Sequence, residues 1–179
     1  TISGRRSRYI IEERVTDNKR ISFATNYNTV IGDHFILSGG YLYQFQESEN
    51  YKRVNDLLGG EFYVDLNQWA EQDFPDSSEA LQNNLETPNR ILKEGDKFGY
   101  DYLSTVKKNM AWVQGQFKFN KVDFFMAFHL ASTEFFRTGK YRNGIFAENS
   151  FGDSKKENFN TLGVKGGVTY KLNGRNYFF

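Results

Sequence analysis

The chain has 179 residues and a formal net charge of +1, a size that suits one domain and a balance that gives no electrostatic case for a nucleic-acid partner. Cysteine is absent, which removes disulfides, zinc thiolate sites and cysteine nucleophiles together. Mean hydropathy is −0.66 and no apolar run approaches the ~20 residues of a membrane helix, so helical spanning is excluded, whereas a barrel strand needs an apolar residue only at every other position. Proline occurs only twice while Phe and Tyr number 18 and 11, a composition in which little interrupts a strand. No signal peptide opens the chain, and its ends read as cuts within a longer protein.

Along the chain, Arg5 to Val15 is strand-like but alternates poorly, and Thr16-Asp17-Asn18 is a turn signal. Ile21, Phe23, Thr25 and Tyr27 then oppose Arg20, Ser22, Asn26 and Asn28, and alternation of this kind marks a strand with two unlike faces. Gly32-Asp33 turns the chain, and Phe35, Leu37, Gly39, Tyr41, Tyr43 and Phe45 form the next apolar row, opposite Ser38, Gly40, Gln44 and Gln46. Two strands joined so briefly read as a hairpin. From Glu47 to about Phe98 the pattern changes. Asp76-Ser77-Ser78-Glu79 ahead of Leu81 and Leu85 resembles a capping box with Pro88 as the stop, and Asp65 stands where it could cap another helical turn.

Strand character returns at Tyr100, and Ala111, Val113, Gly115, Phe117 and Phe119 lead to the turn Asn120-Lys121. The run from Val122 to Phe136 carries the row Val122, Phe124, Met126, Phe128 and Leu130 against Asp123, Ala127, His129 and Ala131. A polar loop from Arg137 to about Asn158 follows, and then a run from Thr161 to Leu172. In that run Leu162, Val164, Gly166, Val168, Tyr170 and Leu172 share one parity and Thr161, Gly163, Lys165, Gly167, Thr169 and Lys171 the other. Asn173-Gly174 closes this unit. Short turns (Gly32-Asp33, Asn120-Lys121, Asn173-Gly174) therefore alternate with long excursions (about 47–98 and 137–158), as in a membrane barrel with tight turns at one rim and long loops at the other. The expectation is an all-β chain: an antiparallel up-and-down meander of roughly six or seven strands, a segment of a large transmembrane barrel with long extracellular loops. Phe35, Leu37, Tyr41 and Tyr43 would share an outer lipid face with Leu162, Val164, Val168 and Tyr170, and Lys165, Lys171, Gln44 and Asn28 would face inward.

No constellation for catalysis emerges, and no enzyme is expected. His34 and His129 lack partners at metal-ligand spacing, the paired glycines form no phosphate-binding loop, and the acidic residues of the long loop show no calcium-loop spacing, so no metal or cofactor is expected. Tyr63, Trp69 and Phe74 are candidates for stacking on a ligand; with Leu57, Leu58 and Leu66 among them, the same aromatics could build a small core for the loop instead.

Tyr51-Lys52-Arg53-Val54-Asn55-Asp56-Leu57-Leu58-Gly59, Phe135-Phe136-Arg137-Thr138-Gly139-Lys140-Tyr141-Arg142-Asn143-Gly144 and Asn149-Ser150-Phe151-Gly152-Asp153-Ser154-Lys155-Lys156, the last running on into Gly163–Tyr170, resemble loop and wall sequence of TonB-dependent outer-membrane receptors. That resemblance implies that residues 1–179 are a partial receptor barrel in the outer membrane of a Gram-negative bacterium. Its partners would be outer-membrane lipid, a scarce nutrient such as a siderophore, cobalamin or an oligosaccharide, and a TonB complex acting through a plug region that this chain does not contain. The alternatives are a passive outer-membrane barrel or assembly protein without TonB coupling, and a soluble β-domain that binds carbohydrate through its aromatics.

Overall fold

The computed structural model describes residues 3–174 and 176–178. Five long strands dominate: β1 (Ile11–Ile31), β2 (Phe35–Asp56), β5 (Lys97–Lys118), β6 (Val122–Gly139) and β8 (Glu157–Lys171). The short β3 (Tyr63–Val64), β4 (Ile91–Leu92) and β7 (Gly152–Asp153) lie between them, β9 (Tyr177–Phe178) follows β8, and among the described residues there is one helix, α1 (Gln68–Asp73). The main sheet runs β1-β2-β5-β6-β8-β9, with β7 added beside β6, while β3 and β4 form a separate two-stranded sheet. No helix among the described residues is long and apolar enough to cross a membrane.

The antiparallel meander is present, but it is linear: β1 stands at one edge and β9 at the other, and among the described residues no pairing joins them. A sheet inside hydrocarbon has to close, because unpaired edge groups find no water there. This open sheet encloses no lumen, and it corrects the expectation of a transmembrane barrel segment. The outer-lipid and inward-facing assignments, the outer-membrane location, the lipid and TonB partners and the importer function depended on that barrel and fall with it.

Two compact units divide the chain. The first holds Thr1–Lys19, Gln46–Thr105 and Phe136–Lys156; the second holds Arg20–Phe45, Val106–Phe135 and Glu157–Phe179. All three short turns belong to the second unit, and nearly all of both long excursions belongs to the first.

In the first unit the excursions are shorter than their sequence suggests. β2 continues to Asp56 and β5 starts at Lys97, although these stretches are rich in charge. The charges are matched across strands instead: Lys52 Nζ lies 2.9 Å from Glu12 Oε2, and Arg53 binds Glu13 through Nε at 3.1 Å and also through Nη2. Opposite charges facing each other across a sheet stabilise the pairing. Thr16-Asp17-Asn18 makes no turn for a related reason. β1 runs straight through it, with Thr16 Oγ1 donating to Asn50 at 3.0 Å and Asn18 accepting from Ser48. Side chains that elsewhere bond their own backbone in a turn bond a neighbouring strand here.

Between β2 and β5 the chain folds over a small core of Val54, Leu57, Tyr63, Leu92 and Phe98, with Ile10 packed against it. The pairing of β3 with β4 sets Tyr63 opposite Leu92, and Tyr63 meets the Phe98 ring edge-on with centroids 6.1 Å apart. The helix cap is not Asp65. Asn67 caps α1, its side-chain oxygen accepting from the backbone N–H groups of Trp69 and Ala70, an arrangement that satisfies two of the orphan donors of a helix start. No helix forms after Asp76. Ser77 Oγ accepts from Ala80 N at 3.3 Å as a cap would, but the chain leaves in successive turns.

The second unit is a different object. Among its described residues none is buried; it is a single layer of sheet. β6 and β8 pair from Val122↔Tyr170 to Phe135↔Glu157. Directly opposed residues share a face, so Phe124, Met126, Phe128 and Leu130 stand beside Val168, Gly166, Val164 and Leu162. Ring stacking carries the same face across β5 to β2: Phe117 lies 4.5 Å from both Phe124 and Phe35 between centroids. The other face holds the pairs His129↔Gly163 and Phe125↔Gly167. A Cβ on Gly163 would fall 1.8 Å from the His129 ring, and one on Gly167 would fall 2.6 Å from Phe125. The two glycines are seats for the opposing rings.

The small core gives the first stability test. Leu92 is 1% exposed, and Leu92→Ala should cost about 2–5 kcal/mol, the range for emptying a packed leucine site. Leu58, outside that core and 57% exposed, should change stability by less than about 1 kcal/mol when replaced by Ala. Urea unfolding followed by tyrosine and tryptophan fluorescence distinguishes the two.

Candidate functional site

A concavity lined from several elements lies within the first unit. Its floor and walls come from the segment before β1 (Arg8, Tyr9, Ile10), from Glu12 and Lys52 on β1 and β2, and from Tyr63 on β3. Leu66 and the start of α1 (Asn67, Gln68, Trp69), with Asn83, Phe98, Gly99, Tyr100 and Asn143, complete a cleft of about 430 Å³. A second hollow of about 590 Å³ shares Arg8, Tyr9, Tyr63, Leu66 and Gln68 with it and adds Arg6, Ser7 and Glu71, so the two are lobes of one recess.

Two aromatic side chains stand free at this recess. Trp69 is 78% exposed and Tyr9 71%. Trp69 is held out by the helix that carries it, because Ala70 is the residue of α1 that turns inward. Tyr63 and Phe98 belong to the core and show the recess only part of their rings. Polar groups lie between. Gln68 Nε2 donates to the Tyr63 hydroxyl at 2.9 Å, and burial pushes that hydroxyl above the usual phenol value. Burial alone would raise Glu12, but hydrogen bonds from Lys52 and Arg14 outweigh it and hold the carboxylate below its ordinary range. The Lys52 ammonium sits 5.8 Å from the Phe98 ring centre and 5.9 Å from that of Tyr100, within cation–π range of both.

A buried polar network fixes these walls. Asp65 is 2% exposed; its carboxylate accepts from Asn83 Nδ2 at 2.8 Å, Gly99 N at 3.1 Å and Arg90 Nη2 at 3.0 Å. Arg90 also donates to the Tyr141 hydroxyl at 3.1 Å and to the Lys97 carbonyl. The loop after β6 is fastened to the same support, with Leu85 N donating to the Arg142 carbonyl at 2.8 Å and Gly144 N to the Gln82 carbonyl at 2.9 Å. Nearby, Glu49 takes hydrogen bonds from Lys140 and from Lys97, the latter at 2.6 Å. These two ammonium groups bring its pKa down to about 2. Lys97 also reaches Asp101 Oδ2 at 3.3 Å and lies 3.9 Å from the Tyr51 ring centre.

Of the three aromatic candidates in the sequence, the structure brings Tyr63 and Trp69 to the recess, the first as a buried wall and the second as an exposed plate. Phe74, at the C-terminal end of α1 and 47% exposed, is not among its lining residues. Tyr9, Glu12, Lys52, Tyr100 and Asn143 were not singled out in the sequence. They come from four separate stretches of the chain, and nothing in their local spacing brings them together. The histidines stand elsewhere: His34 packs 5.1 Å from the Phe119 ring, and His129 covers Gly163. Among the described residues no group of three or more His, Cys, Asp or Glu is placed to hold a metal ion.

Comparison of the chain with protein-family models, with curated proteins and with solved structures finds no match. The resemblance to TonB-dependent receptors thus has neither a closed barrel nor a matching family behind it, and it is withdrawn.

The cluster of Glu49, Lys97 and Lys140 has a definite pH signature. Because the folded-state pKa of Glu49 lies below its unfolded value, its contribution to stability is complete above about pH 4.5 and is lost as pH falls toward 2. Acid titration of unfolding should show this loss, and Glu49→Gln should remove that part of the pH dependence while lowering stability at pH 7. Asp65→Ala strands Arg90 in a partly buried site and should cost about 3–5 kcal/mol at neutral pH, as breaking a buried pair does. Guanidinium unfolding at pH 7 measures it.

Proposed function

We propose that this chain is a β-sheet binding domain whose recess beside α1 takes a carbohydrate. The observation that carries this reading is the exposed pair Trp69 and Tyr9 on one recess that also presents Gln68, Asn67, Asn83, Glu12 and Lys52. A pyranose ring has an apolar C–H face and a rim of hydroxyls. It therefore suits a site that pairs flat aromatic surface with amide, carboxylate and ammonium groups. The size supports the same reading, since two adjoining hollows of about 430 and 590 Å³ offer room for a sugar ring beside the aromatic plates. The proposed role is binding, with no catalytic step. Trp69 is the stacking plate, Tyr9 the second plate, and Gln68, Asn83 and Lys52 the groups that read hydroxyl positions.

A panel of immobilised oligosaccharides, followed by calorimetric titration of the best binder, tests the reading. Trp69→Ala should weaken binding by about tenfold or more, equivalent to ~1.4 kcal/mol. Phe74→Ala, at the C-terminal cap of the same helix but outside the recess, should leave affinity unchanged. Equal affinity of the Trp69→Ala protein and the unaltered chain, or no binding across the panel, would remove carbohydrate from consideration.

A further inference from the structure

The second unit presents a face that a single copy of this chain leaves uncovered. Its apolar side is continuous across five strands. Ring stacking and the β6–β8 register align Phe35, Phe117, Phe124 and Val168 on that side. On the other side lie the hydrogen bonds from Arg20 to Gln44 and from Ser38 to Asn28, which by strand alternation turns Ile21, Phe23 and Tyr27 toward the apolar side. Exposure there is high even for aliphatic residues: Leu162 is 68% exposed and Ile21 65%. By the same alternation no charged residue falls on this side between Ile21 and Ile31, Phe35 and Phe45, Asn109 and Phe117, Val122 and Ser132, or Asn158 and Tyr170. Lys107 and Glu134 follow beyond it, paired to each other at 3.2 Å.

We propose that this face is a self-association surface, buried when two copies of the chain pack sheet against sheet. Four observations select a second copy as the occupant. The first is area. Aromatic side chains bury ~150–250 Å² each, so a half-exposed face of this extent offers on the order of 1,000 Å². That exceeds the ~300–600 Å² patch of an ordinary monomer and matches the ~800 Å² that each partner contributes to a stable interface. The second is charge. With a net charge of +1 and none on the face, two copies meet without repulsion and without stranding an ion. The third is polar satisfaction: the Tyr41 hydroxyl within the face already donates to Asn109 Oδ1 at 2.7 Å, so burial leaves it partnered. The fourth is relief. A hollow of about 410 Å³ bordered by Tyr41, Ala111, Leu130 and Leu162 lies in the face and can receive apolar side chains of a partner. A two-fold pairing repeats each contact and closes at two copies, and two sheets packed face to face stand about 10 Å apart with interleaved side chains. The residues of this face belong to the second unit and those of the carbohydrate recess to the first.

Sedimentation velocity of the full chain in detergent-free buffer, from 1 to about 100 µM, tests the proposal. The expected result is a discrete dimer. Val164→Glu, which places a charge in the middle of the face, should weaken the dimer by about 100-fold or more; Lys165→Glu, one residue along and on the opposite side, should leave it intact. Circular dichroism checks that the variants keep their sheet, and if Val164→Glu does not, the isosteric Val164→Thr should still weaken the dimer by a measurable factor. A monomer throughout the range overturns the proposal, and so does equal dissociation by both charge variants or aggregation without fixed stoichiometry. Flotation of the monomer with phosphatidylcholine vesicles would assign the face to lipid and overturn it equally.

Discussion

The first unit depends on one ion pair. Asp65 and Arg90 meet at 3.0 Å with the carboxylate almost wholly excluded from water, a placement that is costly unless hydrogen bonds compensate it. Here it is compensated from three directions: the turn that carries Asn83, the backbone of Gly99, and Arg90, which in turn binds Tyr141. Segments remote in sequence are thereby fixed to one another at a point where the apolar core is small. With a core cluster of only Val54, Leu57, Tyr63, Leu92 and Phe98, hydrophobic burial alone would leave the long excursions poorly specified. Direction comes from the polar network, since hydrogen bonds tolerate far fewer arrangements than apolar contact does.

The second unit is organised by the opposite principle. It has no interior of its own, and its order comes from the ladder of β6 on β8 and from rings seated on glycines or stacked on rings. One polypeptide thus carries a polar-networked unit and a bare amphipathic sheet.

The sequence disclosed the local grammar well. The turns at Gly32-Asp33 and Asn120-Lys121 and the alternating rows of β6 and β8 follow from spacing alone, because a period of two is a property of neighbouring residues. It disclosed strand extent less well. Polar stretches such as Thr16-Asp17-Asn18 and Gln46–Asp56 are strands only because Asn50, Ser48, Glu12 and Glu13 lie across from them, and that is information from another part of the chain. Closure was beyond it altogether. An apolar row opposite a polar row has the same spelling in a barrel wall and in an open sheet, and loop lengths segregate identically in both. The recess shows the same limit: Trp69 is conspicuous within its helix, but Tyr9, Lys52, Tyr100 and Asn143 become neighbours only through the fold.

The rings seated over Gly163 and Gly167 carry a consequence for how this sequence can drift. A side chain at either glycine has no room until His129 or Phe125 gives way, and a smaller residue at 129 or 125 leaves a bare glycine in mid-strand with little to pack against it. Neither position is therefore free to vary alone. Across descendants of this chain the two pairs should be inherited as linked choices, ring with glycine or two side chains of moderate size, and their covariation would report the β6–β8 register without any coordinates.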